Sequence, residues 1–113
     1  MTLRDEVLAV VVTYNGANTL AETVRALRPQ VAAVHVVDNG SSAVTLALLD
    51  ELEREAGMTG ERLGANMGIA EALNRGVAKA RALELPWLLT MDQDSRVAPD
   101  LVEAYARSNG RSR

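Results

Sequence analysis

The chain of 113 residues is long enough for one domain with a real core, but short for an enzyme that must hold two substrates. Its 48% hydrophobic content comes almost wholly from Ala, Val and Leu, with no Phe, one Trp and two Tyr; this excludes a disordered chain and suits an aliphatic sheet under Ala-rich helices. A formal charge of −3 on mixed-sign segments without a long basic run excludes nucleic acid as a partner, and the lack of cysteine excludes disulfides and thiolate metal sites.

Val7 to Thr13 is a continuous, β-branched apolar run that ends in Tyr14-Asn15-Gly16 and predicts a strand buried on both faces. That run is also too short to span a bilayer, and no secretory signal is recognisable. The expected location is the cytoplasm, with only peripheral association at the inner face of the membrane left open. Thr19 and Glu22 fit a capping box, and Leu20, Val24 and Leu27 recur at helical spacing until Pro29 stops the helix. A second strand, Val34 to Val37, runs into the turn Asp38-Asn39-Gly40-Ser41-Ser42. Ser42 is placed to cap a helix that carries Val44, Leu48, Leu49 and Leu52 and is closed by Gly57. A short third strand falls around Glu61 to Leu63. After Gly64-Ala65-Asn66-Met67-Gly68, a third helix puts Ile69, Leu73, Val77 and Ala80 on one face, and Pro86 marks its exit.

Trp87 anchors the start of a fourth strand, Trp87 to Met91, which delivers Asp92-Gln93-Asp94-Ser95; a last amphipathic helix covers roughly Asp100 to Arg107. The tail 108–113 has no apolar anchor and is expected to fray. This alternation, β-α-β-α-β-α-β-α, predicts an α/β fold: an open, mainly parallel sheet with helices on both faces, Rossmann-like in its crossovers.

In such a sheet ligands bind beyond the carboxyl ends of the strands, and all the polar clusters of this chain fall there. Two acids at i and i+2 in an extended segment, Asp92 and Asp94, point the same way and offer oxygen ligands to a hard cation such as Mg2+ or Mn2+; equally, an acid after a buried strand caps a helix or makes a turn. Asp38 reads either as the acceptor for a base N–H or ribose hydroxyl, or as an Asx-turn residue before Gly40. Tyr14 and Asn15 either face a base or serve ordinary turn chemistry. Asn74 and Gly76 each carry a propensity cost inside a helix, explained by ligand contact at Asn74 and by close helix packing at Gly76. His35, mid-strand among valines, reads as a packed residue. The glycine spacing around Gly64 and Gly68 is not that of dinucleotide binders, and no P-loop lysine follows.

Four segments in order, Val11-Val12-Thr13-Tyr14-Asn15, Val36-Val37-Asp38-Asn39-Gly40-Ser41-Ser42, Asn66 through Gly76, and Trp87 through Ser95, resemble the N-terminal half of family 2 glycosyltransferases of the GT-A fold, in particular the bacterial rhamnosyltransferase-like members. The resemblance implies that Thr13, Tyr14 and Asn15 lie near the nucleotide base, that Asp38 hydrogen-bonds it, and that Asp92 and Asp94 handle ribose, metal and diphosphate. Asn66 and Gly68 through Asn74 would complete the donor pocket. It implies a divalent metal, Mg2+ or Mn2+, and a nucleoside diphosphate sugar as donor, with dTDP-rhamnose the best single guess and a UDP-sugar the wider class. The implied acceptor is a polysaccharide, such as one of the cell wall, or a lipid-linked glycan.

On this reading residues 1–107 are the nucleotide-sugar-binding half of a GT-A domain, incomplete, and the general base lies in a C-terminal half, so no residue here is assigned as catalytic and transfer by this chain alone is not expected. A half-domain also leaves an apolar face uncovered, which predicts self-association. Two other classes compete. One is a non-catalytic nucleotide-binding or regulatory α/β module. The other is a haloacid-dehalogenase-like phosphatase with Asp92 as nucleophile, although that motif would be expected after the first strand.

Overall fold

Strands and helices alternate along the computed structural model, which describes residues 3–92 and 97–104. In chain order they are β1 (Val7–Thr13), α1 (Ala17–Leu27), β2 (Ala33–Asp38), α2 (Ala43–Leu52), β3 (Met58–Arg62), α3 (Ile69–Ala82) and β4 (Trp87–Asp92), with helical residues again at 101–104. The four strands form one parallel sheet in the order β3-β2-β1-β4, an α/β Rossmann-like arrangement. Parallel neighbours demand crossovers, and the three long helices supply them.

The most apolar run in the chain takes the best-protected place. β1 lies between β2 and β4, and Leu8 through Val11 are fully buried. Alternation along the strand divides its side chains between two cores. Val7, Ala9 and Val11 pack with Leu20, Val24 and Leu27 of α1 and with Leu49 and Leu52 of α2. Leu8 and Val10 face the other side, where Val37, Ala72 and Ala80 join them under α3.

Several local expectations are corrected. α1 starts at Ala17 with Gly16 in the N-cap position, so Thr19 and Glu22 lie inside the helix and form no capping box. The buried face of α3 is Ala72, Gly76 and Ala80, not the stripe from Ile69 through Val77; Ile69 is 57% exposed and Val77 36%. The reason is close approach: a Cβ on Gly76 would sit 2.8 Å from Val10 Cγ2, so α3 lies on β1 along its small residues and the larger ones fall beside it. Gly57 does not close α2, which ends at Leu52; with φ +78 it turns the chain into β3 and accepts the Val34 N–H through its carbonyl. β3 begins at Met58, three residues earlier than expected, and ends at Arg62. Trp87 does begin β4, but stays 44% exposed at the sheet edge.

Gln30 ties the end of the described chain to the fold. It is buried, its amide NH2 donates to the carbonyls of Ala26 (3.0 Å) and Ala98 (2.7 Å), and its Oε1 accepts the Val102 N–H (3.1 Å). That N–H belongs to the first turn of the helical residues 101–104, where no backbone partner exists.

His35 is a packed residue, as its surroundings in β2 suggested, and is 3% exposed. Nδ1 lies 2.7 Å from Thr59 Oγ1 and Nε2 lies 3.2 Å from Glu61 Oε1. The neutral tautomer protonated at Nε2 serves both, donating to the carboxylate and accepting from the hydroxyl. Glu61 in turn takes a 2.9 Å bond from Arg75, which also holds Glu71. Burial pushes the His35 pKa below its ordinary value, and the Glu61 carboxylate only partly opposes this. Because the folded value lies below the unfolded one of about 6.5, the unfolded chain takes up the proton first as pH falls. Stability is therefore full above that pH and declines as pH drops from there through the folded pKa. Urea unfolding midpoints measured in steps down from neutral pH should fall in the wild type, and His35→Gln should flatten that part of the profile; parallel profiles would refute the assignment.

Candidate functional site

Register brings the two acids of interest to one edge. Thr13 of β1 pairs with Asp38 at the end of β2, and Val12 pairs with Asp92 at the end of β4. Asp38 and Asp92 thus flank the end of the same central strand. With neighbouring strands about 4.8 Å apart, they lie roughly 10 Å from each other across the sheet. Asp94 falls on residues outside those described.

The environments of the two acids differ. Asp38 is 1% exposed, and its Oδ2 accepts the backbone N–H groups of Gly40 (3.2 Å) and Ser41 (3.0 Å). This is the Asx turn anticipated from the sequence. Its Oδ1 is buried and has no hydrogen-bond partner among the described residues. A carboxylate oxygen in that condition is costly unless something donates to it, and the turn does not explain it. Asp92 is exposed, at the rim of a cavity of about 240 Å³ lined also by Val12, Ile69, Leu73, Thr90 and Met91.

The remaining expected residues divide. Thr13 is fully buried, and its carbonyl accepts the Asn39 N–H at 2.9 Å. Tyr14 is 51% exposed beside it. Asn15 adopts φ +52, a left-handed conformation that asparagine tolerates, and binds the next loop twice: its N–H donates to Ser41 Oγ and its Oδ1 accepts the Ser42 N–H, both at 2.8 Å. Ser42 therefore occupies the N-cap of α2 without a side-chain cap. Asn66 accepts the Gly68 N–H at 3.0 Å, and Gly68, with φ +85, is the N-cap of α3. Asn74 is exposed on α3 and does not line the cavity beside Asp92.

One residue that no pattern singled out is Asn39. It is 6% exposed, its Oδ1 accepts the Met67 N–H at 2.8 Å, and its Nδ2 donates to the Gly68 carbonyl at 3.4 Å. Gly40, at φ +94, lies against the same loop, and a Cβ there would meet the Ala65 carbonyl carbon at 2.6 Å. Both ties join loops 28 or so residues apart in sequence, a range that local spacing rules do not cover. The one available signal was two polar residues in succession at the end of a buried strand.

The family model described as glycosyl transferase family 2 matches residues 8–108. The chain belongs to glycosyl transferase family 2. No curated protein sequence matches it. Among solved structures, the crystal structure of S. aureus TarS, residues 1–349, is similar to it with a TM-score of 0.66 and 21% identity, covering 94% of this chain and 32% of that one. At that identity the likeness is one of fold, and the chain spans about a third of the length of its structural relative. Family membership decides against the phosphatase reading of Asp92. Among the described residues no group of three potential metal-ligating side chains occurs, and no helix is long and apolar enough to cross a membrane.

Proposed function

We propose that this chain is the donor-binding part of a glycosyltransferase that takes a sugar from a nucleoside diphosphate sugar and passes it to a glycan or lipid-linked acceptor. The observation that carries the reading is the buried Oδ1 of Asp38, without a partner among the described residues, at the edge shared with Asp92. Uracil and thymine each offer one ring N–H between two carbonyls, and Asp38 Oδ1 is the acceptor it requires. Thr13, Tyr14 and Asn15 border that end. The ligand then crosses the end of β1, so that its diphosphate reaches Asp92.

A divalent cation suits this edge chemically. Mg2+ is commonly held by one or two carboxylates together with substrate phosphates, so Asp92 with Asp94 is a sufficient protein donor set for Mg2+ or Mn2+. When bound, the ion neutralises charge on the departing nucleoside diphosphate. The cavity beside Asp92 joins the apolar side chains of Val12, Ile69, Leu73 and Met91 to the polar ones of Thr90 and Asp92. The choice of dTDP-rhamnose as the donor rests on the resemblance of the four sequence segments alone. Polysaccharide assembly at the inner face of the membrane is the matching setting. The acceptor hydroxyl must also lose a proton, and we assign that task to none of the described residues. The exposed apolar side chains Ile69, Val77 and Trp87 favour self-association.

Calorimetric titration with UDP and dTDP, with and without Mn2+, tests the reading. Nucleotide binding should strengthen about tenfold with Mn2+, and Asp92→Asn should remove that gain while metal-free binding persists. No binding at millimolar nucleotide would sink the proposal.

A further inference from the structure

We infer that Asn39 is a positioning residue of the nucleotide pocket: its buried amide locks the start of α3 against the turn that carries Asp38. The inference rests on the donor-binding reading above. A pocket assembled from separate loops holds its ligand only if those loops keep fixed places relative to one another. Here Asn39 joins the turn after β2 to the loop after β3, beside the close approach of Gly40 to Ala65. Its Oδ1 takes the Met67 N–H and its Nδ2 reaches the Gly68 carbonyl. That carbonyl is also the first acceptor of α3, taking the Ala72 N–H. The same amide thus grips the last loop residue and the cap of the helix whose first turns carry Ile69 and Leu73 to the cavity beside Asp92.

The backbone of Asn39 completes the link, because its N–H binds the Thr13 carbonyl on β1 and the adjacent Asp38 carbonyl takes the Leu63 N–H. Met67 itself is 54% exposed, so this loop has little apolar packing of its own to hold it. Without the amide, loop 64–68 and the first turn of α3 lose this tie to the turn that carries Asp38, while the rest of the helix stays on β1 through Ala72, Gly76 and Ala80. Asp92 is placed independently, by the pairing of β4 with β1. The base end of the site should therefore loosen and the metal end should not, a separation that simple loss of stability would not produce.

The test measures UDP affinity with and without Mn2+ for the wild type, Asn39→Ala and Asn39→Asp, each at a temperature where circular dichroism shows it folded. Asn39→Ala should weaken metal-free UDP binding about tenfold, yet leave the ratio of affinities with and without Mn2+ within about twofold of the wild type. Asn39→Asp keeps the acceptor for Met67 but sets a carboxylate against the Gly68 carbonyl; it should weaken binding about threefold and carries the test if the alanine variant does not fold. A variant that binds UDP like the wild type, or that loses the Mn2+ ratio in step with affinity, overturns the inference and leaves the donor-binding reading standing. A wild type that binds no UDP overturns both.

Discussion

Replacing Asp38 with asparagine is expected to weaken UDP binding about 10- to 100-fold while leaving the fold intact. The two oxygens of this side chain have separate duties. Oδ2 takes the Gly40 and Ser41 N–H groups and makes the turn, whereas Oδ1 is buried with no partner among the described residues. An asparagine can keep its oxygen on the turn and must then present an NH2 where Oδ1 was. A base N–H arriving there meets a donor instead of an acceptor, and both are left unsatisfied in a buried place. Loss of a hydrogen bond to a charged acceptor costs about 1.5–3 kcal/mol, the source of the range above. Isothermal calorimetry reads the affinity and thermal unfolding reads the fold. Undiminished UDP binding by Asp38→Asn would remove Asp38 from the site, and a collapsed unfolding transition would show its role to be the turn alone.

The largest effect on stability is expected at Gly40, where alanine should lower the unfolding free energy by about 2–5 kcal/mol. Two independent penalties combine. The residue sits at φ +94, outside the range L side chains readily adopt, and the added carbon would lie 2.6 Å from the Ala65 carbonyl carbon and 2.7 Å from the Asn66 nitrogen. Those neighbours are backbone, which cannot rotate away as a side chain can. Relief must come from separating the two loops, so nucleotide binding should fall along with stability. Urea denaturation measures the first and calorimetry the second; a variant within about 0.5 kcal/mol of the wild type would show that the loops part at little cost.

Where burial on both faces governs, local pattern was enough. β1 runs from Val7 to Thr13 as its apolar, β-branched run predicts, because a central parallel strand selects such a run along its whole length. α3 shows the opposite case. Periodicity weighs large apolar side chains, yet the face that meets the sheet is Ala72, Gly76 and Ala80, chosen for closeness to Val10 and not for hydrophobicity. The start of α1 escaped for a similar reason, since its N-cap is Gly16 and no side chain signals it. At the sheet edge, the convergence of Asp38 and Asp92 follows from strand order and was legible in the motifs. The stitching by Asn15, Ser41 and Asn39 was not, because each bond joins residues more than 25 positions apart.

The strand order also sets a schedule. β1 meets β2 after one crossover, so the pairing of Thr13 with Asp38 closes only about 25 residues of chain. Its other neighbour is far away in the chain: Val7 pairs with Trp87 and Val12 with Asp92. Until that strand emerges, one flank of β1 stays open, and contacts of such long range form slowly. The Asp38 side of the edge can thus form before the Asp92 side, which is added only when β4 arrives.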